Sequence, residues 1–295
     1  MKTWVLGGGG ARGASQAGVI LGLFEAGIKP PDSVIGVSVG ALNGATIARF
    51  PSLAGAQMLR EMWRSSLVPS VFRPRPLESL LNRLRGRQQL SLLSATALHR
   101  LVRRQLQLLG IERFDELELP LQVGVTDLGE GDSRLISDGP LAPALAASTA
   151  IPGLFPGVGI GSDVFFDGGV ADNDPIDRAV EGGATEVLAI SLCGVSGGIS
   201  RPERWLDLLG ESVAIMLHTR MLAHFRRLRD CARIIVVCPY LPPSSAWNLE
   251  AEHVGDIVDQ TKAATLRWLE ERGGALPEQS EVVQLELDSS GPRKR

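Results

Sequence analysis

Three short stretches of this sequence hold residue types able to do chemistry. Gly7-Gly8-Gly9-Gly10-Ala11-Arg12-Gly13 follows an apolar run and precedes a segment of helical spacing. A loop this rich in glycine can take positive φ values, approach a ligand closely and turn several free backbone N–H groups toward one point, while the helix start adds positive potential. Two anionic groups suit such a cradle. One is a dinucleotide pyrophosphate, since Gly8, Gly10 and Gly13 satisfy Gly-x-Gly-x-x-Gly; the other is the oxyanion of a tetrahedral acyl intermediate. A dinucleotide site wants an acidic residue at the end of the second strand, and there the chain has Gly36-Val37-Ser38-Val39-Gly40 instead.

That second stretch matches Gly-x-Ser-x-Gly, but the pattern does not select a nucleophile unaided. With 34 Gly and 23 Ser, about 0.3 matches arise by chance, and another stands at Gly194-Val195-Ser196-Gly197-Gly198. A nucleophile elbow needs strand, serine and helix in immediate succession, so that the hydroxyl is exposed at the helix N-terminus. After Gly40 the chain runs Ala-Leu-Asn-Gly-Ala-Thr-Ile-Ala-Arg without a proline, whereas after Gly198 come Ile-Ser-Arg-Pro, and Ser196 reads as a loop residue. A serine also needs a base. None of His99, His218, His224 and His253 ends a predicted strand or occupies a glycine-rich turn. The third stretch offers a candidate: Asp167-Gly168-Gly169 turns sharply out of the apolar run 164–166. Its carboxylate could reach Ser38 if both strands end on the same edge of the sheet. Asp172 and Asp174 are competitors, and Asp174-Pro175 reads as a helix cap followed by a proline at the first helical position.

Positioning these groups requires a scaffold, and its elements are visible. Short apolar runs bounded by Gly, Pro or Asp at 3–6, 33–37, 121–126, 164–166, 186–190 and 233–237 predict strands. Segments of helical spacing at 14–26, 41–49, 53–64, 97–109, 175–181, 205–229 and 254–272 alternate with them. Strands apolar on both faces, interleaved with helices, predict an α/β fold: a three-layer α/β/α sandwich around a mainly parallel central sheet. Gly131 predicts a local hairpin of 121–126 with 134–137. Residues 67–115 carry nine Arg against Glu78, Glu112 and Asp115, a net of +6. Both a helical insertion with a basic outer face and a lid or anionic-surface role fit that stretch.

Composition narrows the function classes. With 44% hydrophobic residues and a net charge of −3 over 295 residues, the chain is globular, not disordered or fibrous, and of a size for one large domain. No apolar run approaches the ~20 residues of a membrane-spanning helix. Residues 1–10 lack a secretory signal pattern, so a cytoplasmic location is expected. Cys193, Cys231 and Cys238 have no Cys-x-x-Cys pairing and lie in or beside apolar segments, which predicts free thiols acting as core hydrophobes. The histidines show no metal-ligand spacing, and neither a metal nor another cofactor is expected. No nucleic-acid partner is expected, and the oligomeric state is open.

Taken in chain order, the three stretches resemble the patatin-like phospholipases. The resemblance runs from residue 5 to about residue 190. It includes the helix ending near Gly27, the segment Ala147-Ser148-Thr149-Ala150-Ile151-Pro152-Gly153-Leu154-Phe155-Pro156, and Asp167-Gly168-Gly169 through Asn173 and Pro175. It implies a serine acyl hydrolase with a Ser–Asp dyad and no histidine, in which Ser38 attacks an acyl ester and Asp167 is the general base. Backbone N–H groups of Gly9 and Gly10, with Gly8 alongside, would form the oxyanion hole. Arg12 and Gly13 would support that loop, and Gly36, Gly40, Gly168 and Gly169 would shape the elbow and the turn.

The resemblance further implies a hydrolase domain over 1–275 and a C-terminal segment over 276–295, disordered at its end from Ser289. The substrate would be a phospholipid or another fatty-acyl ester. Acyl-chain choice and peripheral contact with the inner face of a membrane are expected in the arginine-rich regions 67–115 and 201–233. Two other functions fit the same residues: a catalytically weak, regulatory membrane-binding module on this fold, and dinucleotide binding through the glycine loop.

Overall fold

The computed structural model describes residues 1–65, 95–193, 205–239 and 254–287. Ser196 with its Gly-x-Ser-x-Gly, the basic stretch before residue 95 and the tail from Ser289 lie outside them. In chain order the strands are β1 (Lys2–Leu6), β2 (Ser33–Val37), β3 (Leu121–Asp127), β4 (Asp132–Ile136), β5 (Val158–Ile160), β6 (Asp163–Asp167), β7 (Glu186–Ile190), β8 (Arg233–Pro239) and β9 (Glu281–Leu285). The helices are α1 (Gly13–Glu25), α2 (Val39–Arg49), α3 (Leu53–Arg64), α4 (Ala95–Leu109), α5 (Leu141–Ser148), α6 (Ile176–Glu181), α7 (Trp205–Leu228) and α8 (Val254–Glu270).

All the strands join one sheet ordered β5-β6-β3-β2-β1-β7-β8-β9, with β4 paired to β3. The run β3-β2-β1-β7-β8-β9 is parallel throughout, and β4, β5 and β6 pair antiparallel at the other end. Alternation along the central strands separates two cores. Trp4, Leu6, Leu188, Ile190, Ile235 and Val237 face a large layer containing α1 to α5 and α8. Val5, Ile35, Val187, Ala189, Ile234 and Val236 face a smaller one, where Ile176 and Ala179 of α6 and Met221 and Phe225 of α7 cover them. This is the three-layer sandwich that the doubly apolar strands predict.

Four findings refine the sequence expectations. β9 pairs in parallel with β8 as an edge strand, so the sheet extends past residue 275 into the segment set apart as C-terminal. Only alternate residues of β9 are well covered, which is why it lacks the continuous apolar run of a central strand. From residue 95 onward the basic region is part of the main core: α4 buries Leu98, Leu101, Val102, Leu106 and Leu109 and turns Arg100, Arg103 and Arg104 to solvent. Cys193 and Cys238 are buried, but Cys231 is exposed in the turn before β8. Among the described residues, no helix is long and apolar enough to cross a membrane.

Candidate active site

Register alone brings the two sequence-predicted side chains together. β2 runs parallel to β3 and ends with Val37 opposite Gly124. β6 runs antiparallel to β3 and ends with Asp167 opposite Val125. Because β4 occupies the other edge of β3 from Val123 to Asp127, β2 and β6 lie on the same edge and meet end to end. Ser38, the next residue after β2, therefore faces the last residue of β6. The Ser38 Oγ–H donates to Asp167 Oδ2 at 2.6 Å, a length typical of a hydroxyl bonded to a carboxylate.

Ser38 has φ 54° and ψ −126°. It is the one non-glycine with positive φ among the described residues. Such a conformation costs of order 1–3 kcal/mol, so its surroundings must hold it. The Ser38 N–H donates to Ser148 Oγ at 2.8 Å, whose hydroxyl donates to the Gly124 carbonyl at 2.7 Å. The Ser38 carbonyl accepts from Ala41 N–H at 2.9 Å as α2 begins. Gly40 permits this tight entry, since a Cβ there would lie 2.0 Å from the Leu6 carbonyl oxygen. Gly36 has the same role on the strand side, where a Cβ would meet Ala41 Cα at 2.6 Å.

Asp167 is as enclosed as Ser38, with 5% and 6% of their surfaces exposed respectively. Its Oδ1 accepts from Gly169 N–H at 2.9 Å, and its carbonyl accepts from Thr126 Oγ1 at 2.8 Å. Gly168 lies against the Gly124 carbonyl, which a Cβ would approach to 2.4 Å. Burial pushes the Asp167 carboxyl up to about 6, against the lowering effect of the hydrogen bonds from Ser38 and Gly169. A carboxyl so placed is half-ionised only slightly below neutral pH, the range in which a general base is useful. His99, His218 and His224 make no hydrogen bond to Ser38 or Asp167, and His253 lies outside the described residues.

The glycine loop lies directly beside the serine: a Cβ on Gly8 would come within 2.9 Å of Ser38 Cβ. Its carbonyls are held from the protein side. Gly7 O accepts from Gln16 Nε2 at 3.2 Å, Gly8 O from Asn173 Nδ2 at 3.2 Å, and Gly9 O from Arg12 N–H at 3.2 Å. All these peptides are trans, so each N–H points opposite to the preceding carbonyl. The N–H groups of Gly8, Gly9 and Gly10 are thereby turned away from those partners, and none has an acceptor among the described residues. Gly10 takes φ 58°, as a chain reversing this sharply requires. Arg12 ties the loop down through Nη1 to the Leu192 carbonyl at 2.9 Å. Gly13 gives α1 room against α2, since a Cβ there would lie 2.3 Å from Val39 Cγ2.

Beneath the loop lies a buried polar network with no sequence motif. Asn43 Nδ2 donates to Gly13 O at 3.1 Å and to Gln16 Oε1 at 2.9 Å, and Trp63 Nε1 donates to Asn43 Oδ1 at 2.9 Å. Fully paired, such a network fixes one arrangement of α1, α2 and α3. Its signal was a single amide in each of two otherwise apolar helices. Asp174 departs from the expectation of a helix cap, since α6 begins without a side-chain cap bond. It is instead buried against Gly7, and burial pushes its carboxyl up to about 7. Asp172, Asp177 and His224 place ligand-type atoms within 4.8 Å of one another. Arg220 at 3.9 Å from Asp172 and Arg227 at 3.4 Å from Asp177 already balance that charge.

The structure thus sets a serine at a strand-to-helix elbow, bonded to a carboxylate and flanked by a glycine loop, on an α/β/α sandwich. A model of the family described as patatin-like phospholipase matches residues 4–180, and the chain belongs to that family. It is 33% identical over 217 residues to patatin-like phospholipase domain-containing protein 6 of Mus musculus, covering 71% of this chain and 14% of that protein. Lysophospholipase nte1 of Aspergillus terreus is 30% identical over 199 residues, covering 64% of this chain and 12% of that one. Among solved structures, VipD from Legionella pneumophila is similar with a TM-score of 0.41 and 15% identity, covering 90% of this chain and 67% of that chain.

Proposed function

We propose that the protein is a serine acyl hydrolase cleaving fatty-acyl esters, with Ser38 and Asp167 as its dyad and Gly8, Gly9 and Gly10 as its oxyanion hole. The 2.6 Å bond between Ser38 Oγ and Asp167 Oδ2 carries this reading. Asp167 takes the hydroxyl proton as Ser38 Oγ attacks the ester carbonyl. The tetrahedral oxyanion is held by the free N–H groups of Gly9 and Gly10, with Gly8 alongside; losing one such donor typically costs ~10²–10³ in rate. Collapse breaks the ester C–O bond, and the proton on Asp167 passes to the departing alcohol, leaving acyl-Ser38. Water then attacks with Asp167 as base again, releasing the acid and restoring the serine.

The substrate class is a phospholipid, a lysophospholipid or a related fatty-acyl ester. Family membership and a lysophospholipase among the relatives support this choice. The solvent-facing Arg100, Arg103 and Arg104 of α4 would meet anionic headgroups at the surface of a lipid aggregate. A pH–rate profile on a short-chain acyl ester tests the proposal. Asp167 must be ionised to act and is raised to about 6, so kcat/KM rises with pH, bends near 6 and is flat above it. Activity constant down to pH 4, or no turnover at any pH, would remove Asp167 from the role of base.

A further inference from the structure

Four consecutive glycines give the loop no steric preference of its own, so the direction of each peptide must be imposed by its neighbours. We infer that Asn173 is the positioning residue that sets the Gly8–Gly9 peptide and holds it in register with the turn that carries Asp167. The inference rests on the hydrolase reading above and assigns a role to a side chain whose hydrogen bonds go to Gly8, Asp174 and Cys193 and not to Ser38 or Asp167.

Asn173 lies between the Gly168–Val170 turn and α6 and is 4% exposed. Its Nδ2 donates to the Gly8 carbonyl at 3.2 Å and to Asp174 Oδ2 at 3.1 Å, with Cys193 Sγ also at 3.2 Å. The Gly8 carbonyl fixes which way the amide faces, because a carbonyl oxygen only accepts and the flipped amide would set oxygen against oxygen. The Asn173 Oδ1 fits closely between both halves of the site. A Cβ on Gly8 would come 2.6 Å from that oxygen, and one on Gly169 would come 2.8 Å from it. The side chain thus abuts both the loop beside Ser38 and the glycine whose N–H holds Asp167. Because the peptide is trans, holding the Gly8 carbonyl inward holds the Gly9 N–H outward. Without the amide, the remaining donor to Gly8 O among the described residues is the Cys193 thiol at 3.9 Å, a weak donor.

Asn173→Asp keeps the shape and removes the N–H; Asn173→Ala removes the contact without adding a carboxyl. Both are compared with the parent on a short-chain acyl ester and with an alkyl trifluoromethyl ketone, whose adduct with Ser38 carries an oxyanion. The expected result for each is a fall in kcat of about 10²-fold with KM within about threefold of the parent. Inhibition by the ketone weakens by a similar factor. A merely structural amide would not separate kcat from KM in this way.

Parent-like kcat and ketone inhibition in either variant would overturn the inference while leaving the hydrolase reading intact, and an inactive parent would overturn both. If Asn173→Ala does not fold, Asn173→Asp decides by the same two readouts.

Discussion

Ser38→Ala lowers kcat on a short-chain acyl ester by about 10⁴-fold or more, with an unfolding midpoint close to that of the parent. The magnitude follows from what is lost. The oxygen removed is the atom that forms the acyl bond, and no other hydroxyl among the described residues is bonded to Asp167 through its carboxylate. The fold tolerates the change because alanine keeps the Cβ that packs at the elbow, and the backbone bonds from Ser38 N–H to Ser148 and from Ala41 N–H to Ser38 O persist. Steady-state kinetics and thermal unfolding on the same preparation check both halves. An active Ser38→Ala protein would exclude the serine as nucleophile.

Asp167→Asn lowers kcat/KM by about 10³-fold or more, toward the upper end of what a positioned general base supplies. It does so without unfolding the protein, because an asparagine can still accept from Gly169 N–H and fill the same space. Stability separates loss of the base from loss of the fold. The carboxyl titrates near 6 in the folded state and near ~3.9 in an unfolded chain, so the folded state holds its proton more tightly. The stability gained from the protonated form is fully present below pH ~3.9, is lost as pH rises to about 6, and stays lost above it. The loss is on the order of 3 kcal/mol at most for a shift of about two units. Asparagine never ionises, so above pH 6 the variant withstands as much urea as the parent or more. A folded, fully active Asp167→Asn protein would exclude Asp167 as the base.

Ser38, Asp167 and the glycine loop were legible because each sits where an element ends, and strand ends marked by Gly or Asp leave a local signature. The alternation of doubly apolar strands with helices was equally plain, and it led to the sandwich. What escaped were contacts between distant parts of the chain. Ser148 steadies the elbow from 110 positions away, at the end of an α5 that is buried and apolar on nearly every side, so it shows no polar face to mark its period. Gln16 and Asn43 look like stray amides until α1 and α2 pack together. Asp174 resembles a cap by its place before Pro175, and only the sheet reveals that it is buried behind Gly7. That β2 and β6 meet end to end depends on β4 occupying the opposite edge of β3, which no local pattern encodes.

Ser38 is proposed as the one nucleophile of the chain, activated by Asp167. The most direct test is to label the full chain with an alkyl fluorophosphonate and map the modified residue by peptide mass spectrometry. A single adduct on Ser38, lost in Ser38→Ala and slowed in Asp167→Asn, is the predicted result. An adduct on Ser196, or no adduct under conditions where the ester is turned over, would exclude Ser38 as the nucleophile.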